Sequence, residues 1–152
     1  MAREPFVPPR FVIKTAWGIH RWLARRGTGR GLWKPGQRNA WGALALTTTG
    51  RSSGEPRTAI IAYLPDGADR VHALAMNGWM EGHPGWWLNL KADPRASALF
   101  ADGDRRAVSA TAAEGDERER LWAVWEENEP GLNDLASRRR TPTEIVVLEL
   151  AD

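Results

Sequence analysis

The sequence predicts an α+β, mainly β fold: an antiparallel barrel with helices packed outside it. Three observations carry this. β-patterned runs follow one another through short turns, helical patterns appear only twice within the barrel region, and the resulting order β-β-β-α-β-β-α-β lacks the strict strand–helix alternation of a parallel sheet.

The elements follow in order. From Trp41, "WGALALTTT", "RTAIIAYL" and, after Pro65-Asp66-Gly67, "DRVHALAM" read as a three-strand meander. A helix is expected from about Pro84 to Lys91, with proline suited to its first turn and Ala92-Asp93-Pro94 ending it. "ASALF" and "RRAVSATAA" flank Ala101-Asp102-Gly103-Asp104, an Asp-Gly hairpin signal. Asp116 and Glu119 read as a capping pair opening a second helix, whose Leu121, Trp122, Val124 and Trp125 form an apolar stripe suited to core packing. "EIVVLEL" supplies a last strand that can close the sheet.

Two segments are expected: a basic amphipathic arm and linker over residues 1–38, and a barrel domain over residues 39–152. The first forty residues carry nine Lys/Arg against one acid, Glu4, so a net charge of +2 divides into about +8 there and about −6 beyond. On a helical wheel Val12, Ala16, Ile19 and Leu23 share one side. Lys14, Arg21 and Arg25 lie opposite, with Trp17 and Trp22 on the flanks. This pattern suits a helix packed on the domain's own core or one lying on a membrane surface; nucleic acid is not expected as a partner. Gly27 to Gly36, "GTGRGLWKPG", has the composition of a flexible linker.

Composition excludes several classes. Without cysteine there is neither a disulfide framework nor a thiolate metal site. No apolar run is long enough to span a bilayer, and the amino terminus lacks a signal-peptide pattern, so a soluble cytoplasmic protein is expected. "GRSSG", Gly50 to Gly54, matches the nucleophile-elbow pattern, yet it leads into a strand through Glu55-Pro56 and no histidine follows His83. A Walker loop would need Gly-Lys-Ser/Thr before a helix, and His20, His72 and His83 are too scattered for a metal centre. "LTTTGRSSGEPR", Leu46 to Arg57, remains as a candidate anion site: hydroxyls, glycines that permit close approach, and the guanidiniums of Arg51 and Arg57. A solvated polar hairpin is the alternative reading.

"LTTTGRSSGEPRT", "HPGWWLNLKADPR" and "ERERLW", in this order and spacing, resemble the deazaflavin-dependent nitroreductase family, split β-barrel, FMN-binding-like proteins typical of actinobacteria. The resemblance covers roughly Trp41 to Leu150. It implies binding of coenzyme F-420, an 8-hydroxy-5-deazaflavin with a phosphodiester and oligoglutamate tail, and hydride transfer from its C5 to a quinone, enone or nitro compound. By resemblance, Arg51, Ser52, Ser53 and Arg57 would hold the phosphate and tail, with Lys91 adding charge. Met76, Asn77 and Gly78 would pass beside the ring, and Trp86 and Asn89 would close the pocket. At least one of Trp86 and Trp87 is expected to serve core packing alone.

The family's substrate-side tyrosines are missing. The matching stretch is "EPGLNDLASRRR", with Leu132 and Leu135, so an aliphatic acceptor wall is implied and no catalytic residue is assigned. The family's usual lysine after the first arginine is here Ser52. Two alternatives stay open: a non-catalytic binder of F-420, a lipid or another flat ligand, and a split-barrel enzyme using flavin mononucleotide. A monomer and a homodimer are both compatible with the sequence.

Overall fold

The computed structural model describes residues 29–152. Six strands form a closed antiparallel barrel: β1 (Gly42–Thr49), β2 (Pro56–Pro65), β3 (Arg70–Ala75), β4 (Arg95–Leu99), β5 (Arg105–Ala112) and β6 (Glu144–Leu150), in the order β1-β2-β3-β6-β5-β4. β6 closes the sheet as its sequence suggested, pairing with β3 on one side and β5 on the other. Pairing is uneven. β1 and β2 run together from Gly42–Tyr63 to Thr49–Pro56, whereas β2 and β3 meet only at Leu64–His72 and Pro65–Val71.

Period-two alternation explains the layering. Leu44 and Leu46, Ile61 and Tyr63, Val71 and Ala73, Val108 and Ala110, and Val146 and Leu148 point into the barrel and are buried together. The intervening Leu64, Leu74, Ile145 and Val147 point outward and are covered by Leu121 and Trp125 of α2 (Gly115–Asn128). Leu121 and Trp125 stand one turn apart, so one helix face carries this layer. Trp125 Nε1 donates to His72 Nδ1 at 2.9 Å, with the rings edge to face. The bond fixes His72 as the neutral tautomer with its proton on Nε2, and burial pushes its pKa down to about 4.

α1 (Gly85–Ala92) joins β3 to β4 and packs on β1 and β2; α2 and the short α3 (Leu132–Ser137) join β5 to β6. Because all strands are antiparallel, the β1–β2 turn, the segment after β3 and α1 stand at one end of the barrel, whereas α2 runs along its side, with Arg120 on Asp66 and the Glu129 that follows it on Trp41 toward the other end.

Three local expectations change. α2 begins at Gly115 with Glu114 as N-cap and no side-chain cap bond, which puts Asp116 inside the first turn, where its carboxylate favours the helix dipole instead. α3 was not foreseen: Gly131, at φ 90°, turns the chain after Pro130 into six helical residues that bury Leu132. Within the glycine-rich segment, Leu32 is buried against Ala43, Ala45, Ile60 and Leu99, and Trp33 forms an isolated bridge with Ala43, so residues 29–38 lie on the barrel surface. The amphipathic pattern of residues 12–25, and His20, lie outside the described residues.

Candidate functional site

The β1–β2 turn is built around two glycines. Gly50 N–H donates to the Glu55 carbonyl at 2.7 Å and its own carbonyl accepts from Gly54 N–H at 2.8 Å. A Cβ at Gly50 would stand 2.6 Å from Ser53 Oγ, and Gly54 lies at φ +71°, so both positions favour glycine. Ser53 Oγ accepts from Glu55 N–H at 3.2 Å and from Arg57 Nη2 at 3.5 Å, which ties this hydroxyl into the turn. Arg51, Ser52 and Arg57 are exposed, and Arg57 meets Glu55 only at 3.9 Å. A shallow polar groove runs between the turn and β4, lined in part by Thr47, Thr49, Gly54, Arg95 and Ser97.

Beneath the turn, α1 presents Asn89, only 5% exposed. Its Oδ1 accepts from Arg51 N–H at 3.2 Å and from Arg51 Nη1 at 3.0 Å, while its Nδ2 donates to the buried Thr48 Oγ1 at 3.0 Å. Beside the expected place near Trp86, the amide is thus turned under the β1–β2 turn, where its acceptor and its donor both find partners. Trp86 is half-buried against the inner core, and Trp87 is buried in it. Lys91 stands over the Trp87 ring at 5.3 Å and reaches Glu144 at 3.9 Å.

After β3 the chain enters an irregular segment. Met76 is right-handed at φ −97°, ψ −14°, and Asn77, Gly78 and Trp79 follow at φ 51°, 62° and 63°. A right-handed residue followed by a left-handed one turns successive N–H groups to one side, a nest suited to acceptor atoms. The N–H groups of Asn77 and Gly78 meet no acceptor among the described residues, and Asn77 Nδ2 donates to the Glu81 carbonyl at 2.9 Å. Holding Trp79 left-handed costs on the order of 1–2 kcal/mol, so the surroundings must enforce it.

Two clasps bracket the segment. The Arg139 guanidinium, 7% exposed, donates from Nη1 to the carbonyls of Met76 and Ala75 and from Nη2 to the Gly82 carbonyl at 3.1 Å. The Glu81 carboxylate accepts from the N–H groups of Arg140 and Thr141 and from Thr141 Oγ1, at 2.7, 3.1 and 3.0 Å, while Gly82 N–H donates back to Thr141 Oγ1 at 2.8 Å. These bonds, the Arg140 N–H first, hold the Glu81 carboxyl below the usual carboxylate range.

The structure therefore brings Arg51, Ser52, Ser53, Arg57 and Asn89 into one assembly and Met76, Asn77 and Gly78 into a second. Leu132 does not line a wall: it is buried in the outer layer with Leu121 and Trp125, and Leu135 is the aliphatic side chain that α3 leaves partly exposed. Sequence reasoning missed Arg139, Glu81 and Thr141; Thr48, one of the hydroxyls expected to face an anion, is instead buried against Asn89. The three successive arginines 138–140 were a visible signal, yet nothing in their spacing marks the middle one as buried.

The chain belongs to the F420H(2)-dependent quinone reductase family, whose sequence model it matches over residues 21–150. It is 33% identical over 109 residues to an F420H(2)-dependent quinone reductase of Mycobacterium tuberculosis, covering 70% of this chain and 72% of that protein. Among solved structures, an F420-H2 dependent reductase, FDR-A, superposes with a TM-score of 0.62 at 25% identity, covering 70% of this chain and 93% of that one. A domain-swapped dimer, at TM-score 0.66 and 23% identity over 93% of this chain and all of that one, shares the fold. The split β-barrel expected from the sequence is the fold observed, and the quinone-reductase family agrees with the deazaflavin chemistry that the resemblance implied.

Proposed function

We propose that this chain binds reduced coenzyme F-420 with its polyanionic half on the turn Thr49–Arg57 and its ring beside Met76–Gly78, and reduces a quinone there. The observation that carries the reading is the neutral, buried amide of Asn89. It holds the turn from below without consuming its charge, so the guanidinium of Arg57 and most of that of Arg51 stay available at the surface.

The donor set fits the group. Two exposed guanidiniums, the Ser52 hydroxyl and a backbone kept close by Gly50 suit a phosphodiester followed by carboxylates, and the groove toward Arg95, whose guanidinium is paired with Asp93, leads on from the turn. The coenzyme supplies a hydride when reduced, so this chain's residues position, neutralise charge and exclude water, and none need be a nucleophile. Arg51 and Arg57 anchor, and Asn89 and Thr48 keep the anchor in register. Asn77 and Gly78 offer two N–H groups to acceptor atoms of a flat ring, and Trp86 contributes an apolar flank. Lys91, paired weakly with Glu144, adds peripheral charge. The partly exposed Leu135 supports an aliphatic side to the acceptor site.

The test is oxidation of reduced F-420 by menadione in the presence of the protein. Protein-dependent oxidation is expected; a protein that binds F-420 but supports no oxidation of its reduced form by the quinone is the non-catalytic binder instead.

The basic amino-terminal charge supports peripheral association with an anionic membrane, where a hydrophobic quinone would be met. None of the described helices is long and apolar enough to cross a membrane. Since Leu32 and Trp33 pack on the barrel, the cut that tests this is removal of residues 1–28. Coenzyme binding should survive and co-sedimentation with anionic vesicles should fall; equal sedimentation would contradict the membrane reading.

A further inference from the structure

We infer that Arg139 is a positioning residue for the ring-side segment: with the Glu81–Thr141 clasp it fixes Met76–Gly82, and with it the left-handed run Asn77–Trp79 that aims the Asn77 and Gly78 N–H groups. This rests on the reading that the ring lies beside that segment.

The geometry shows a side chain used to shape backbone. The Arg139 guanidinium is buried, and the acceptors it meets among the described residues are main-chain carbonyls; two of them, Met76 and Gly82, stand at opposite ends of the irregular segment. A planar fork with fixed donor directions can hold two such ends at once, which a lysine ammonium on a flexible stem does less well. The segment needs that hold, because three successive left-handed residues are not self-sustaining and Trp79 is strained there. Glu81 supplies the second fixation and the nearest compensating charge: it draws Arg140 and Thr141 N–H onto itself while Arg139, one residue earlier, reaches back to the segment. The chain from Arg139 to Thr141 is thereby interlocked with Glu81 and Gly82 in both directions. Released from it, Asn77 and Trp79 would relax toward the right-handed region and the two N–H groups would diverge. The consequence falls on alignment of the reacting ring and not on the anchor at the β1–β2 turn, which is held independently by Asn89.

The test uses the full chain, as wild type, Arg139→Lys and Glu81→Gln. Ligand-free amide exchange, binding of oxidised F-420, and turnover of reduced F-420 with menadione are measured on each. Arg139→Lys should speed exchange within 76–82 by about tenfold while leaving 50–57 unchanged. It should leave the Kd for F-420 within about threefold and lower kcat by about tenfold, because misalignment acts on the chemical step. Glu81→Gln should shift the same quantities in the same direction by about threefold each in exchange and kcat. If Arg139→Lys does not fold, the exposed Glu81→Gln decides alone. Wild-type kcat in the folded variants, or a loss confined to Kd, would overturn the inference. A wild type that neither binds nor oxidises F-420 would instead sink the functional reading, and the exchange arm would still decide whether Arg139 and Glu81 fix the segment.

Discussion

The β1–β2 turn and the segment after β3 lie at the same end of the barrel and are held in opposite ways. The turn is supported from below by an uncharged amide, Asn89, and directs its arginines outward. The segment is supported by a buried guanidinium, Arg139, and presents main-chain N–H groups instead of charges. On the proposed function the difference is a division of labour: charge that would meet a polyanion is left in solvent, where it steers and anchors, whereas the surface that would fit a flat ring is uncharged and rigidly set.

The largest expected effect on stability is common to both regions and fixes the conditions for comparing them. His72 has a folded pKa of about 4, pushed down by burial with Arg120 and Arg70 adding to it and Asp66 and Glu117 opposing. Its folded value lies below its ordinary one near 6.5, so its contribution is intact above about pH 6.5 and is lost as pH falls toward 4. Over that window the loss is on the order of 3 kcal/mol at 1.36 kcal/mol per unit. Denaturant midpoints from pH 7 to 4 check it, and His72→Gln should flatten the slope. Glu81, held low by its hydrogen bonds, loses its clasp only below the ordinary glutamate range, so the two contributions separate along the titration.

Asn89→Leu comes next. It leaves Thr48 Oγ1 and the Arg51 N–H without the amide partner, and should cost about 2–3 kcal/mol of stability with a parallel loss of F-420 affinity. Thermal unfolding and titration of the same samples check this, and unchanged affinity would dissolve the link between amide and turn. Arg57→Ala sharpens the contrast. Being exposed, it should weaken F-420 binding by about 1.5–3 kcal/mol while leaving stability within about 0.5 kcal/mol. Wild-type affinity in that variant would return the turn to a solvated hairpin. Lys91→Met should have the smallest effect, below about 1 kcal/mol on binding and reduced by added salt, because its pair with Glu144 is long and exposed.

The turn was legible in the sequence and the segment after β3 largely was not. "GRSSGEPR" concentrates glycine, hydroxyl and guanidinium within eight residues, so local composition alone marks a candidate anion site, with a solvated hairpin as the alternative. The barrel strands were equally open to reading, since Leu44, Leu46, Ile61, Tyr63, Val146 and Leu148 alternate with their outward neighbours. Asn89 was legible as a site residue, but its partners were not, because a helix wheel places it near Trp86 without showing that it lies beneath the turn, against Thr48 and Arg51. Arg139 and Glu81 were hidden by the 57 residues that lie between them, for a clasp between distant loops leaves no periodic trace. α3 escaped because a six-residue helix after Pro-Gly has too little periodicity to register.

The measurement that bears most directly on the account is a titration of the purified protein with oxidised F-420, followed by tryptophan fluorescence, with flavin mononucleotide in parallel. Micromolar binding of F-420, weakened by Arg57→Ala and little changed by flavin mononucleotide as competitor, is the expected result. Tight binding of flavin mononucleotide with none of F-420 would contradict the account and assign the donor-rich turn to another phosphate.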